Sequence, residues 1–193
     1  MRNVLKKPSQ IAALLAAVGI TSDLSVAQGA GVSGVLGTGP VQQVLTFKDV
    51  AIPLTDVAST VAYGSLKFFT FEAGQIDITG CVVDLDITKS SAGVNNDWDG
   101  DFGIGTVAAA GDATLSSTEQ NVVATTATPQ AVAGATTAKG KLTAGAVLDG
   151  SSDAVDLYLN VLVDDADQDV TTTACNLIFN GTITLTYQNN GAA

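Results

Sequence analysis

The chain has 193 residues, 46% apolar and only 14% charged, with 23 threonines and 20 glycines, which fits one compact β-rich domain better than a disordered chain. The absence of histidine excludes a Ser-His-Asp triad, a Cys-His dyad and any His-ligated metal, and the net charge of −11 opposes nucleic-acid binding. No apolar run reaches the roughly 18 residues of a membrane-spanning helix.

Charge is unevenly spread. Arg2, Lys6 and Lys7 come early, and no acid precedes Asp23; from Pro8 onward there are 5 basic and 19 acidic residues. Two readings of the first thirty residues stand side by side. Basic residues before the apolar run 11–20, with Ser25-Val26-Ala27 beyond it, have the pattern of a secretory leader. Alternatively, Pro8 and Ser9 start an amphipathic helix whose stripe is Ile11, Leu14, Leu15 and Val18, and Gly19 ends it. We take the second reading. Residues 1–40 are then a docking arm, a short amphipathic helix plus a glycine-rich linker over 29–40, and residues 41–193 are the body.

The body reads as strands and turns. Val41–Val50 is the first strand, and Pro53 restricts the next stretch to an edge or a turn. Gly64–Phe71 is the second, with Leu66 and Phe68 on one face and Lys67, Phe69 and Phe71 on the other. In Gln75–Lys89 the apolar residues sit at even positions (Ile76, Ile78) before Gly80. They sit at odd ones (Cys81, Val83, Leu85, Ile87) after it, a phase change that implies a β-bulge in one long bent strand. A polar loop over 90–101 leads to a short strand at Phe102–Val107. Ser116 and Glu119 suggest a capping box for a helical turn at Ser117–Asn121. Residues 124–146 lack a periodic stripe and suggest an extended surface segment, with a weak strand near Gly140–Leu148 and a turn at Asp149-Gly150. Val155, Leu157, Leu159, Val161 and Val163 alternate with Asp156, Tyr158 and Asn160 and make the clearest strand. Asp164–Asp169 is an acidic loop. Leu177–Tyr187 keeps one parity through Asn180-Gly181 and reads as one strand with Gly181 at a close backbone approach. Seven or eight strands suggest an all-β antiparallel sandwich or jelly roll.

Chemistry-bearing motifs are few. Asn95, Asp97 and Asp99 alternate before Gly100 and Asp101, as in the front half of a calcium loop, but Thr106 stands where a bidentate Glu belongs. No cofactor is expected; structural calcium at Asp97, Asp99 and Asp101 is the alternative to a solvated loop with Trp98 packed or presented. Asp164, Asp165, Asp167 and Asp169 read as a self-repelling surface loop. Paired catalytic carboxylates lack a marked cleft, and aromatic residues for stacking sugars are only 5%; a non-enzymatic role is expected. Cys81 and Cys175 are expected as reduced, buried thiols. Asn180-Gly-Thr182 fits a glycosylation sequon inside a strand, where it is coincidental.

The serial order of Gly64-Ser-Leu-Lys-Phe-Phe-Thr-Phe, Gly74-Gln-Ile-Asp-Ile-Thr-Gly-Cys-Val-Val-Asp-Leu-Asp-Ile-Thr, Gly103-Ile-Gly-Thr-Val, Ala113-Thr-Leu-Ser-Ser-Thr-Glu-Gln-Asn-Val-Val, Val147-Leu-Asp-Gly, Ala154-Val-Asp-Leu-Tyr-Leu-Asn-Val and Asn180-Gly-Thr-Ile-Thr-Leu-Thr-Tyr resembles the capsid decoration, or cement, proteins of tailed phages over about residues 41–190. The resemblance implies a small β-sandwich or jelly roll on the exterior of the virion head, assembled in host cytoplasm. It implies a homotrimer that binds the phage major capsid protein and ties capsomers together, with no nucleic acid or membrane as partner. The arm has no counterpart in that resemblance. Its Ile11, Leu14, Leu15 and Val18 are the expected capsid or subunit contact, with Arg2, Lys6 and Lys7 pairing to acidic capsid surface. The rival reading is a secreted adhesin, pilin-like subunit or carbohydrate-binding module, needing a cleaved leader and a Cys81–Cys175 bond. A calcium-dependent hydrolase is a third.

Overall fold

The computed structural model describes residues 32–36, 40–57, 61–111, 113–150 and 153–190, with backbone alone for 32–36, 57 and 165. The described residues form eleven strands: β1 (Val32–Leu36), β2 (Val41–Pro53), β3 (Thr55–Val57), β4 (Val61–Phe71), β5 (Gly74–Lys89), β6 (Gly100–Gly105), β7 (Val123–Thr128), β8 (Ala135–Lys141), β9 (Ala146–Gly150), β10 (Val155–Asp164) and β11 (Asn176–Asn189). A single 3-10 turn, Asp165–Asp167, lies in the acidic loop.

All strand pairs are antiparallel. The first sheet has the order β1-β2-β11-β5-β8, with β9 also paired to β5; the second has the order β3-β4-β10-β6-β7. With the short β1, β3 and β9 set aside, β2 pairs with β11, β4 with β10, β5 with β8 and β6 with β7. Outermost strands pair with outermost, so the chain is one long hairpin rolled into two four-stranded sheets. This is a jelly roll, and the all-β sandwich architecture expected from the sequence is the one observed.

The phase change at Gly80 is a bulge. Thr186 faces Gly80 and Tyr187 faces Ile78, which leaves Thr79 as the extra residue. Ile76, Ile78, Cys81, Val83, Leu85 and Ile87 are all buried as a result. β4 has the same device, and here the expected faces are wrong. Leu157 faces Phe69 and Tyr158 faces Lys67, so Phe68 is the extra residue. The bulge turns Phe68, Phe69 and Phe71 all into the core, while Lys67 stays outside with Asp156. Phe69, Phe71 and Tyr187 then pack edge to face, with ring centroids 4.7–5.8 Å apart.

β11 runs unbroken through Asn180-Gly181. Gly181 has φ +129°, and a Cβ there would sit 2.3 Å from the Asp84 carbonyl oxygen of β5. Opposite, β2 carries an extra residue, and Asp49 (φ 52°) donates its N–H to Asn180 Oδ1 at 2.9 Å. The sequon asparagine is therefore engaged inside the sheet.

Three expectations give way. Val32–Leu36, inside the glycine-rich stretch, pairs with β2 as an edge strand. Residues 123–150 hold β7, β8 and β9 rather than one surface segment, and Asp149-Gly150 ends β9 against Gly74 and Gln75. Segment β8 hid its character because its inward positions are small: Ala138 is fully buried, and a Cβ on Gly140 would lie 2.8 Å from the Phe102 ring. The helical turn at 117–121 is a hydrogen-bonded turn without helix.

Candidate functional site

The rolled hairpin sends the β5–β6, β7–β8 and β10–β11 loops and the β3 region to one end. Among the described residues that end carries Asp56, Asp97, Asp99, Asp101, Asp164, Asp167 and Asp169, with Lys89 as the one cation. Two acidic loops far apart in sequence are zipped together there by backbone bonds. Asn95 donates to Asp167 O (2.8 Å), Asp169 to Gly93 O (2.9 Å) and Asp164 to Asp99 O (3.2 Å), and Asp99 N–H reaches Asp167 Oδ2 (3.1 Å). Burial, then the charges of Asp164 and Asp167, then side-chain contact with them, raise the Asp99 carboxyl above its ordinary range. Burial and Asp99 raise Asp101. Lys89 turns its ammonium to the Val94 carbonyl, and Gln168 donates to Asp56 at 2.8 Å.

Trp98, between Asp97 and Asp99, is packed rather than presented. It is 1% exposed, and its indole N–H points to Gly134 O at 3.3 Å. The expected calcium positions are thus split. Asp99 faces Asp164 and Asp167, Asp101 faces Asp99, and Asp97 is exposed. Among the described residues, no three acidic, histidine or cysteine side chains stand together in metal-holding geometry. The partnership of Asp99 with Asp164 and Asp167 escaped the sequence because it is set by the pairing of β6 with β10.

The outer face of the second sheet is roofed by its own chain. Glycines at 103 and 105 leave β6 bare on that side. A Cβ on Gly105 would meet Thr118 O at 2.3 Å, and one on Gly103 would meet Leu115 at 2.8 Å. Residues 106–111 and 113–122 lie across this surface. Leu115, Ala109, Val61 and Leu162 make a small second core there, with Tyr63 beside them. Asn160, fully buried, is the tie. Its Nδ2 donates to Val107 O (2.9 Å) and Glu119 O (2.8 Å), and its Oδ1 accepts from Ser65 Oγ (2.6 Å) and Ala109 N–H (3.0 Å). Glu119, 3% exposed, accepts the N–H groups of Ala110 and Ser116. The expected Ser116–Glu119 relation is real, but it pins a loop.

The outer face of the first sheet has no such roof among the described residues. Across β2, β11, β5 and β8 its rows read Val44–Thr184–Val82–Lys141 and Thr46–Thr182–Asp84–Lys139. Val82 is 54% exposed. Lys139 pairs with Asp84 at 2.6 Å, which raises the ammonium's pKa. The face is β-branched and nearly neutral, in contrast to the acidic end.

Cys81 and Cys175 are buried and free, and burial pushes the Cys81 thiol up to about 12. Cys81 lies opposite Leu185, ten residues along the strand line from Cys175. At about 3.3 Å per residue that is roughly 30 Å, far beyond the ~7 Å Cα separation a disulfide tolerates. Arg2, Lys6, Lys7, Ile11, Leu14, Leu15 and Val18, the expected contact residues, lie outside the described residues. No family model, curated protein or solved structure matches the chain.

Proposed function

We propose that the chain is a structural virion protein that binds the outside of a tailed-phage icosahedral head and braces capsomer contacts as a trimer. The reading rests on the serial resemblance over residues 41–190, most of whose segments fall on strands of a jelly roll while the segment 113–123 runs through the roof loop; the jelly roll is an architecture used by viral shell proteins among others. Its physics is adhesive and non-catalytic. The acidic body repels DNA and other copies at a distance. The stripe Ile11, Leu14, Leu15 and Val18 supplies contact energy, at about 1.5–3 kcal/mol for each large apolar side chain before ordering costs. Arg2, Lys6 and Lys7 orient it on an acidic shell, and three linked arms multiply the effect.

The test adds purified full-length protein to heads assembled without it and examines them by sedimentation and negative-stain imaging. Added density on the head exterior and greater resistance of the heads to heating are expected, with both lost in a Leu14→Asp, Leu15→Asp variant. Heads that stay bare at micromolar full-length protein rule the proposal out.

A further inference from the structure

We propose that the roof over the second sheet opens as one unit while the sandwich stays folded, with Ser65 and Asn160 as the latch of a gate over an apolar strip on β4 and β10. The roof closes its own neck. Val122 N–H donates to Ile104 O at 2.9 Å, and the N–H groups of Thr106 and Val107 donate to Thr118 O at 2.8 and 3.2 Å. A loop whose ends are held together by its own bonds can lift as a body. Its apolar contacts, Ala109 and Leu115 on Val61 and Leu162, form a cluster separate from the main core. Lifting the roof therefore breaks the small cluster and leaves the large one packed.

The polar attachments make a latch rather than a seam. Among the described residues, every hydrogen bond from the roof to β4 and β10 ends on Ser65 or Asn160: Val107 O and Glu119 O on Asn160 Nδ2, and Ala109 N–H on Asn160 Oδ1 and Ser65 Oγ. Closure also carries a cost. Thr125 of β7 gives its N–H to Gln120 Oε1 of the roof at 2.7 Å, and its hydroxyl oxygen stays buried without a partner. A stripped hydroxyl of this kind favours the state that lets water back in. Opening bares Val61, Leu162 and Tyr63, which the roof itself covers when closed. The roof is thus an autoinhibitory contact on its own sheet, and the inference needs neither a head nor a partner.

The test is maleimide labelling of the full-length protein with no heads present, so its outcome is independent of decoration. Ala109→Cys puts a thiol on the underside of the roof and Leu162→Cys puts one on the sheet beneath it, in separate proteins. The buried native thiols Cys81 and Cys175 serve in each as the clock for unfolding of the whole domain. Both new thiols are expected to react at a common rate, about a hundred-fold faster than Cys81 and Cys175, and with little acceleration by dilute urea, because little surface is exposed in the opening. Ser65→Ala should raise both rates roughly ten-fold and leave those of Cys81 and Cys175 unchanged. If either cysteine variant fails to fold, hydrogen exchange of the Ala109 N–H in the wild-type protein, set against the amides of β11, reads the same opening. Labelling that keeps pace with Cys81 and Cys175 and shares their urea dependence overturns the proposal, since the roof then opens only with the whole domain. Unrelated rates at positions 109 and 162 also overturn it, as piecemeal fraying, and so does labelling at the speed of a freely exposed thiol.

Discussion

Replacing Asn160 by alanine should loosen the roof over the second sheet before it harms the rest of the molecule. The side chain makes four hydrogen bonds, two donated to the carbonyls of Val107 and Glu119 and two accepted from Ser65 and Ala109. Alanine removes all four. Ala109 N–H keeps Ser65 Oγ at 2.8 Å, so that donor stays paired. The Glu119 carbonyl, in a buried contact, and the Val107 carbonyl lose this donor. At about 1 kcal/mol net per bond, and 1–3 for a buried group stranded without a partner, the sum is about 3 kcal/mol. For a domain of this size that lowers the melting temperature by about 6–12 °C. Thermal unfolding followed by circular dichroism gives the global figure, and amide hydrogen exchange at residues 107–122 gives the local one. A loss under about 1 kcal/mol with unchanged exchange in that loop would refute Asn160 as the tie.

Two further outcomes are expected from the geometry. Gly181→Ala should cost at least about 3 kcal/mol in urea unfolding, because its Cβ meets fixed backbone of β5 at a strained φ. Gly80→Ala, whose Cβ would meet only the Thr186 side chain at 3.3 Å, should cost under about 1 kcal/mol; similar losses at the two sites would contradict the close-approach argument. At the acidic end, the folded state holds a proton on Asp99 more tightly than the unfolded chain does. Between the ordinary aspartate pKa and the raised one, the folded state binds more protons, so stability falls as pH rises through that window. Asp99→Asn should therefore raise the melting temperature at pH 7 and flatten its pH dependence across the window; a lower melting temperature at pH 7 would show the carboxylate to be a net stabiliser.

Period and parity were the legible part of the sequence. The flip at Gly80, the alternation in Val155–Val163 and the constant parity through Gly181 each translated directly into side-chain direction. The parity of β4 was equally legible, but the bulge at Phe68 carries no glycine to mark it, and the run Lys67-Phe-Phe-Thr-Phe fits either phase. β8 was missed because a strand facing the Phe102 ring needs small inward residues, so its apolar stripe vanishes from the sequence. Leu162 and Val61 were unassigned for a related reason: their outward faces are buried only because a distant loop folds back on them. Asp99, Asp164 and Asp167 stood out singly, but their meeting depends on β6 lying beside β10, which no local pattern encodes.

The outermost-with-outermost pairing has a consequence for how the molecule comes into being. β2 finds its neighbour β11 only after some 120 intervening residues exist, and β5 needs that same late strand on one of its sides. Few contacts reward the chain early, and topologies of this kind fold slowly. While it emerges from the ribosome, a nascent chain must wait with one side of β2 and one side of β5 unsatisfied until Asn176–Asn189 arrives and slots between them. Maturation should therefore be gated by the last strand to be made, and a stall just short of it would leave a sticky, unclosed intermediate.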